Sequence, residues 1–256
     1  MKKNIAICVY GLHPDKCWKN IRKRKTNSVP KYFKQNLIDC NKDDNVDVFI
    51  HSFSYDYKNK IINEYNPTKY IIEKQRTFDK KYNCKELDEL YKKNYQMDWH
   101  SLAKCILYGM KTSVSIMHQY EKDTNTKYDI VLLMRSDLLW MRPLVFRNHD
   151  NEKFYASSWG TNNTFTINNK PTGMSAIWHM SNPALIDKLV ELYDKLDKYI
   201  DDGIYMSMHT ISRHHIETFT KVTFEHNDVG TCYGDWNKII DCDLQRYLVG
   251  YKILLV

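Results

Sequence analysis

Hydrophobic positions in this chain follow two patterns: short, nearly unbroken runs, and longer stretches spaced at three and four. "NIAICVYG" (Asn4 to Gly11), "VDVFIHSFS" (Val46 to Ser54) and the "IVLLM" of "YDIVLLMRSDLLW" (Ile130 to Met134) belong to the first kind. Such runs read as strands covered on both faces, as in a parallel sheet. Between the first two, Pro30 opens a helix, "KYFKQNLIDCN", with Tyr32, Phe33, Leu37 and Ile38 on one face. "YKNKIINEY" reads as a second helix stopped by Asn66-Pro67, and "TKYIIEKQRTF" as a third strand. The order β-α-β-α-β predicts a parallel sheet with right-handed crossovers.

Two helical segments follow, "KELDELYKKNY" and a long one from about Trp99 to Tyr120, whose apolar face carries Leu102, Ile106, Met110 and Met117. Beyond Pro143 the pattern shortens to "KFYASSW", "TFTINN" and "SAIWHMS", read as short strands and turns. Pro183 to about Tyr199 is amphipathic through Leu185, Leu189, Leu192 and Leu196. Another helix is expected to follow Asp201-Asp202-Gly203, and "KVTFEHNDV" to form a late strand. With no repeat, low-complexity tract or linker, the expectation is one mixed α/β domain over residues 1–256.

Composition narrows the classes. The 256 residues are 43% hydrophobic and 27% charged, which is globular and sufficient for a full core. A net charge of +7 suits anionic ligands such as nucleotides or acidic glycans but is too mild to argue for nucleic acid. Seven cysteines, odd in number and never spaced C-x-x-C, read as reduced thiols in a cytoplasmic setting. The start "MKKNIAICVYGLH" breaks too soon for a signal peptide, and no run approaches the ~20 apolar residues of a membrane span. A soluble chain is therefore expected. Asn162-Asn163-Thr164 matches a glycosylation sequon, which carries no weight in a cytoplasmic chain.

Candidate chemistry gathers where the predicted strands end, the place where open α/β sheets bind ligands. The first ends in Tyr10-Gly11, the second in His51-Ser52, and the Ile130–Met134 run in Arg135-Ser136-Asp137. Gly11 permits close backbone approach to a ligand, Tyr10 can stack on a base, and a following basic loop from Arg22 to Lys25 can hold phosphates. Opposite charges set between apolar runs are costly unless they pair or meet a ligand. Two readings of Arg135-Ser136-Asp137 therefore stand: an ion pair closing a strand, or a phosphate and metal site.

The succession "IAICVYG", "VDVFIHSFS", "YNPTKYIIEKQRTF", "YDIVLLMRSDLLW" resembles GT-A-type nucleotide-sugar glycosyltransferases, in particular those of large DNA viruses and bacterial surface-polysaccharide clusters. The resemblance covers roughly the first 145 residues, which it makes the nucleotide-sugar half; residues from about 146 would form the acceptor side. It implies an acidic D-x-D element after this strand, whose last carboxylate holds Mn²⁺ or Mg²⁺ against the donor diphosphate. Asp137 stands at that last position, while Arg135 replaces the first acid. Arg135 then either binds the donor itself, as its planar fork allows, or marks a weakened metal site. His226, with Asp228 behind it, is the nearest match to the family's late-strand metal ligand.

The resemblance also implies a carboxylate base near a helix start for an inverting transfer; Asp202 is the first candidate and Glu217 the second, while helix capping is the commoner explanation of a carboxylate at Asp202. Trp159 and Trp178 are candidate sugar platforms, with core packing as the alternative. Signatures of P-loop, dinucleotide-binding, zincin and α/β-hydrolase sites are missing, and His215-x-Glu217 lacks the paired cysteines of a deaminase. The expected partners are a nucleotide sugar and a glycan or glycolipid acceptor. The competing expectation is a non-catalytic module that keeps the nucleotide-sugar fold for binding or assembly.

Overall fold

The computed structural model describes residues 2–13, 28–79, 81–82, 98–140, 142–157, 166–167, 170–171, 177–204, 207–225 and 242–243. Arg22, Trp159, His226, Asp228, the sequon and the helix expected at "KELDELYKKNY" lie outside them.

In chain order the strands and helices are β1 (Asn4–Gly11), α1 (Ser28–Phe33), β2 (Asn45–Ser52), α2 (Lys58–Tyr65), β3 (Lys69–Ile72), α3 (Trp99–Thr124), β4 (Ile130–Arg135), β5 (Leu139–Trp140), β6 (Phe154–Ser157), β7 (Thr166–Ile167), β8 (Lys170–Pro171), β9 (Trp178–Ser181), α4 (Pro183–Val190), α5 (Leu192–Asp201), α6 (Met208–Glu217), β10 (Val222–Glu225) and β11 (Cys242–Asp243). Seven strands form one sheet in the order β10-β6-β9-β4-β1-β2-β3. β1 lies between β2 and β4 and runs parallel to both, while β9 alone runs against its neighbours β4 and β6. The expected α/β class and the largely parallel sheet flanked by helices are both present.

Both sheet faces are covered, which is why the central strands carry no polar alternation. On one face Ile5, Ile7, Val9, Ile130, Leu132 and Met134 pack with Phe33, Leu37 and Ile61 from the α1 and α2 region. On the other, Ala6, Cys8, Tyr10, Val131 and Leu133 pack under Leu107, Met110 and Met117 of α3 and the apolar stripes of α4, α5 and α6. Ile130 to Met134 are at most 1% exposed, and each such side chain contributes roughly 1.5–3 kcal/mol of burial as an upper figure.

Several boundaries differ from the sequence reading for identifiable reasons. The third strand stops at Ile72 because its partner β2 ends at Ser52: Glu73 N–H makes a last bond to the Ser52 carbonyl, and its carboxylate meets His51 and Arg76. The first helix distorts after Phe33 into a π turn and a 3-10 turn, Lys34–Ile38 and Asp39–Asn41. There the Asn36 amide donates to the Trp140 carbonyl (2.6 Å) and the Asn41 amide to Leu144 (2.7 Å), so side-chain bonds to the end of β5 and the segment after it outweigh regular helix. The long amphipathic segment is two helices with a turn at Glu191. A helix follows Asp201-Asp202-Gly203 as expected, beginning at Met208, while the Asp-Asp-Gly turn itself closes the preceding one: α5 stops at Asp201 and Gly203 has φ +81°.

Candidate active site at the carboxyl edge of the sheet

The three central strands end together. In the parallel register Tyr10 stands opposite His51 of β2 and Arg135 of β4, with Gly11 opposite Ser52. The expected gathering of Gly11, His51 and the Arg135 turn at one sheet edge is therefore present.

The turn after β4 is tied to its neighbours from three sides. Ser136 N–H donates to the Tyr10 carbonyl (2.8 Å), and Ser136 Oγ–H donates to the Leu12 carbonyl (2.6 Å). Tyr65, the last residue of α2, donates its hydroxyl to the Ser136 carbonyl (3.1 Å). Gly11 has φ +115°, and a Cβ there would stand 3.2 Å from Ser136 Oγ, so both its backbone conformation and its close approach favour glycine. The next residues dock on the β2 side: His13 N–H donates to Ser54 Oγ (2.8 Å), and the buried His13 ring pairs with Glu64 (2.9 Å) and stacks on Tyr57.

Within this frame Arg135 and Asp137 form a two-pronged pair. Nε donates to Oδ1 (2.9 Å) and Nη2 to Oδ2 (2.5 Å), while the Asp137 side chain is 3% exposed. Both carboxylate oxygens thus accept from one guanidinium, the strong fork geometry. A divalent ion takes oxygen ligands from ionised groups. As placed, both oxygens of Asp137 accept from the arginine, and His226, the other metal ligand that the resemblance implies, lies outside the described residues. Among the described residues, no group of three or more His, Cys, Asp or Glu side chains gathers around an ion-sized point.

Two predicted donor contacts reach the edge by backbone but turn their rings inward. Tyr10 is 1% exposed and packs beneath α3, which excludes it as an open base platform. The cause is Gly109: a Cβ at that position would meet Tyr10 Cβ at 3.5 Å and His51 Nδ1 at 3.3 Å, so the helix lies directly on both rings. His51 is likewise buried. Its Nε2 bonds Glu73 (3.0 Å), and burial lowers its pKa against the opposing pull of that carboxylate. Trp178 is 0% exposed and packs against Trp140, so here the core alternative holds and it is no sugar platform.

The two candidate bases are separated. The α4–α5 rod runs antiparallel to α3, as the pairs His118–Asp187, Lys111–Asp194 and His100–Asp197 show. Asp202 therefore lies level with the start of α3, toward the carboxyl edge, exposed and paired with Lys198 (2.5 Å). It follows a helix carboxyl end, not the helix start that the base assignment assumed. Glu217 ends α6, which leads into the amino end of β10, parallel to β6. It lies toward the opposite edge from Asp137, paired with Arg213 (2.7 Å).

Sequence reasoning missed Ser136, Tyr65, His13 and Glu73 as the groups that hold this edge. The isolated Gly109, inside a long amphipathic helix, was the available signal of close backbone approach and of buried rings beneath it. The chain matches no protein-family model, and no curated protein is significantly similar to it.

Proposed function

We propose that the protein is a GT-A-like glycosyltransferase that moves a sugar from a nucleotide-diphosphate donor to a hydroxyl of a glycan or glycolipid. The observation that carries this reading is the common register of Tyr10, His51 and Arg135, which gathers Gly11 and the Arg135–Asp137 pair at the carboxyl edge of one sheet. Open α/β sheets bind nucleotides at such edges. The guanidinium suits a phosphate oxygen pair. The residues' share of the chemistry is to hold the donor, offset charge on the departing diphosphate and orient the acceptor hydroxyl. Asp202 is the better placed of the two candidate bases, since it lies toward the same edge.

A second reading, a nucleotide-sugar-binding module without transfer, draws support from the engagement of Asp137 by Arg135 at both oxygens. One experiment separates them. The protein is incubated with a panel of nucleotide sugars, release of nucleoside diphosphate is followed, and the same panel is used in thermal melts. The transferase reading expects one donor both to raise the melting temperature and to be turned over. Stabilisation without turnover supports the binding module, and neither effect with any donor sinks both.

A further inference from the structure

We propose that the carboxyl edge takes a nucleoside diphosphate group through the Arg135 guanidinium without a divalent ion, and that Asp137 positions this arginine instead of ligating a metal. The inference rests on the transferase reading and deepens it by naming what offsets the diphosphate charge.

Three observations carry it. Asp137 is 3% exposed and gives each carboxylate oxygen to a different nitrogen of Arg135, at 2.9 and 2.5 Å. A metal seated on Asp137 would compete with the guanidinium for these oxygens and set two cations close together in a largely water-excluded place. The turn also has little freedom to rearrange, because Ser136 between the two residues is fixed by its N–H to Tyr10, its hydroxyl to Leu12 and its carbonyl from Tyr65. Finally, the arginine leaves the sheet opposite Tyr10, at the carboxyl ends of the parallel strands, where open α/β sheets bind ligands. A guanidinium locked in orientation by a carboxylate is pre-ordered for a bidentate phosphate contact, and no covalent step is involved.

The roles assigned to Asp137 predict opposite effects. If it positions Arg135, Asp137→Asn leaves an amide oxygen to accept one guanidinium N–H and removes a negative charge near the ligand. Diphosphate affinity then stays the same or rises. If it ligates a metal, the same change removes binding.

The test is calorimetric titration of UDP, ADP, GDP and CDP into the full chain, first in EDTA and then with millimolar Mn²⁺. At least one nucleotide is expected to bind in EDTA, with affinity changed by less than about twofold on adding Mn²⁺. Arg135→Gln is expected to weaken it roughly tenfold or more, the scale of one charge-assisted hydrogen bond. Asp137→Asn is expected to bind at least as tightly as the parent. Because Arg135→Gln leaves a buried charge without its partner, the neutral double variant Arg135→Gln/Asp137→Asn is melted and titrated beside it; it should keep the fold and still lose affinity. Binding that requires Mn²⁺, or loss of binding in a folded Asp137→Asn protein, overturns the proposal and leaves the transferase reading standing. Failure of every nucleotide in both conditions overturns the two together.

Discussion

His51 and Glu73, 22 residues apart in sequence, join the end of β2 to the segment that leaves β3, with imidazole Nε2 3.0 Å from the carboxylate. Arg76 closes the group by donating through Nε and Nη2 to Glu73 and lying over the Tyr108 ring (4.6 Å). Burial works against ionisation of Glu73, but the bonds from Arg76 and His51 prevail and hold its pKa below the ordinary carboxylate range. The His51 ring is thereby locked under Gly109 of α3, and Tyr108 lies against its edge.

Gly109→Ala tests that lock. In an open helix the change stabilises by about 1 kcal/mol. Here the new Cβ would stand 3.3 Å from His51 Nδ1, on a ring that cannot retreat, and overpacking costs typically ~1–3 kcal/mol. The expected outcome is a net loss of roughly 1 kcal/mol in chemical denaturation, smaller in a His51→Ala background. A gain of stability in the parent would show that the helix is free to move off the rings.

Asn41 illustrates how far side chains rewrote the first predicted helix. Its amide donates to the Leu37 (2.9 Å) and Leu144 (2.7 Å) carbonyls, and its Oδ1 accepts from Phe146 N–H (3.0 Å). Asn41→Ala leaves buried backbone groups unsatisfied, so the expected cost is about 2–4 kcal/mol. Asn41→Asp keeps the acceptor and loses the donors; it should fall short of rescue at neutral pH. A melting temperature of Asn41→Ala within error of the parent would refute this account.

The central strands were legible because a doubly covered strand needs apolar residues at almost every position, and Asn4 to Gly11, Val46 to Ser52 and Ile130 to Met134 supply them. The same property hid which way Tyr10 and His51 face. With both faces buried, no polar alternation marks the side toward α3. Helix direction was hidden as well: the amphipathic stripe of "HTISRHHIE" says that a helix exists, but only β10 pairing with β6 sends Glu217 toward the far edge. The Arg135–Asp137 pair was legible as one of two alternatives, since residues two apart around a tight turn can meet.

Two histidines on the same side of the sheet should respond to pH in opposite directions. His179 of β9 is 0% exposed, neither ring nitrogen has a hydrogen-bond partner, and burial pushes its pKa down to about 3. A folded pKa below the unfolded value of 6.5 means that the unfolded chain binds the extra proton. Its contribution therefore falls as pH drops from about 6.5 toward 3, by up to about 1.4 kcal/mol per pH unit. His118 is the reverse: hydrogen bonds to Asp187 and Glu121, both 2.6 Å, outweigh burial and raise its pKa. Its contribution is complete below the unfolded pKa and is lost as pH rises through the folded one. Denaturation curves at pH 5 and pH 8 should show His179→Leu gaining most over the parent at pH 5. His118→Gln should lose most there. Equal effects at both pH values would contradict the assigned protonation states.

Gly203 decides what Asp202 is. After α5, Asp202 N–H donates to Lys198 (2.8 Å), Gly203 N–H to Ile200 (3.0 Å) and Ile204 N–H to Tyr199 (2.9 Å), so the chain turns back over the helix end. That closure needs a left-handed residue, and Gly203 supplies it at φ +81°. A carboxylate at a helix carboxyl end is disfavoured by the dipole, and Lys198 one turn earlier offsets it. Nothing lies within 4 Å of a Cβ at position 203, so Gly203→Ala has a backbone cost and no steric one. The expected loss is about 1 kcal/mol, with Gly203→Asn closer to the parent, since asparagine tolerates this conformation. If Asp202 is the acceptor base, Gly203→Ala should also lower kcat more than KM changes, and Asp202→Asn should abolish turnover while leaving the melting temperature within about 1 kcal/mol of equivalent stability. If Asp202 is only the end of a helix, both variants should turn over donor at the parental rate. Steady-state kinetics on the three variants, beside their melts, distinguishes a base from a cap.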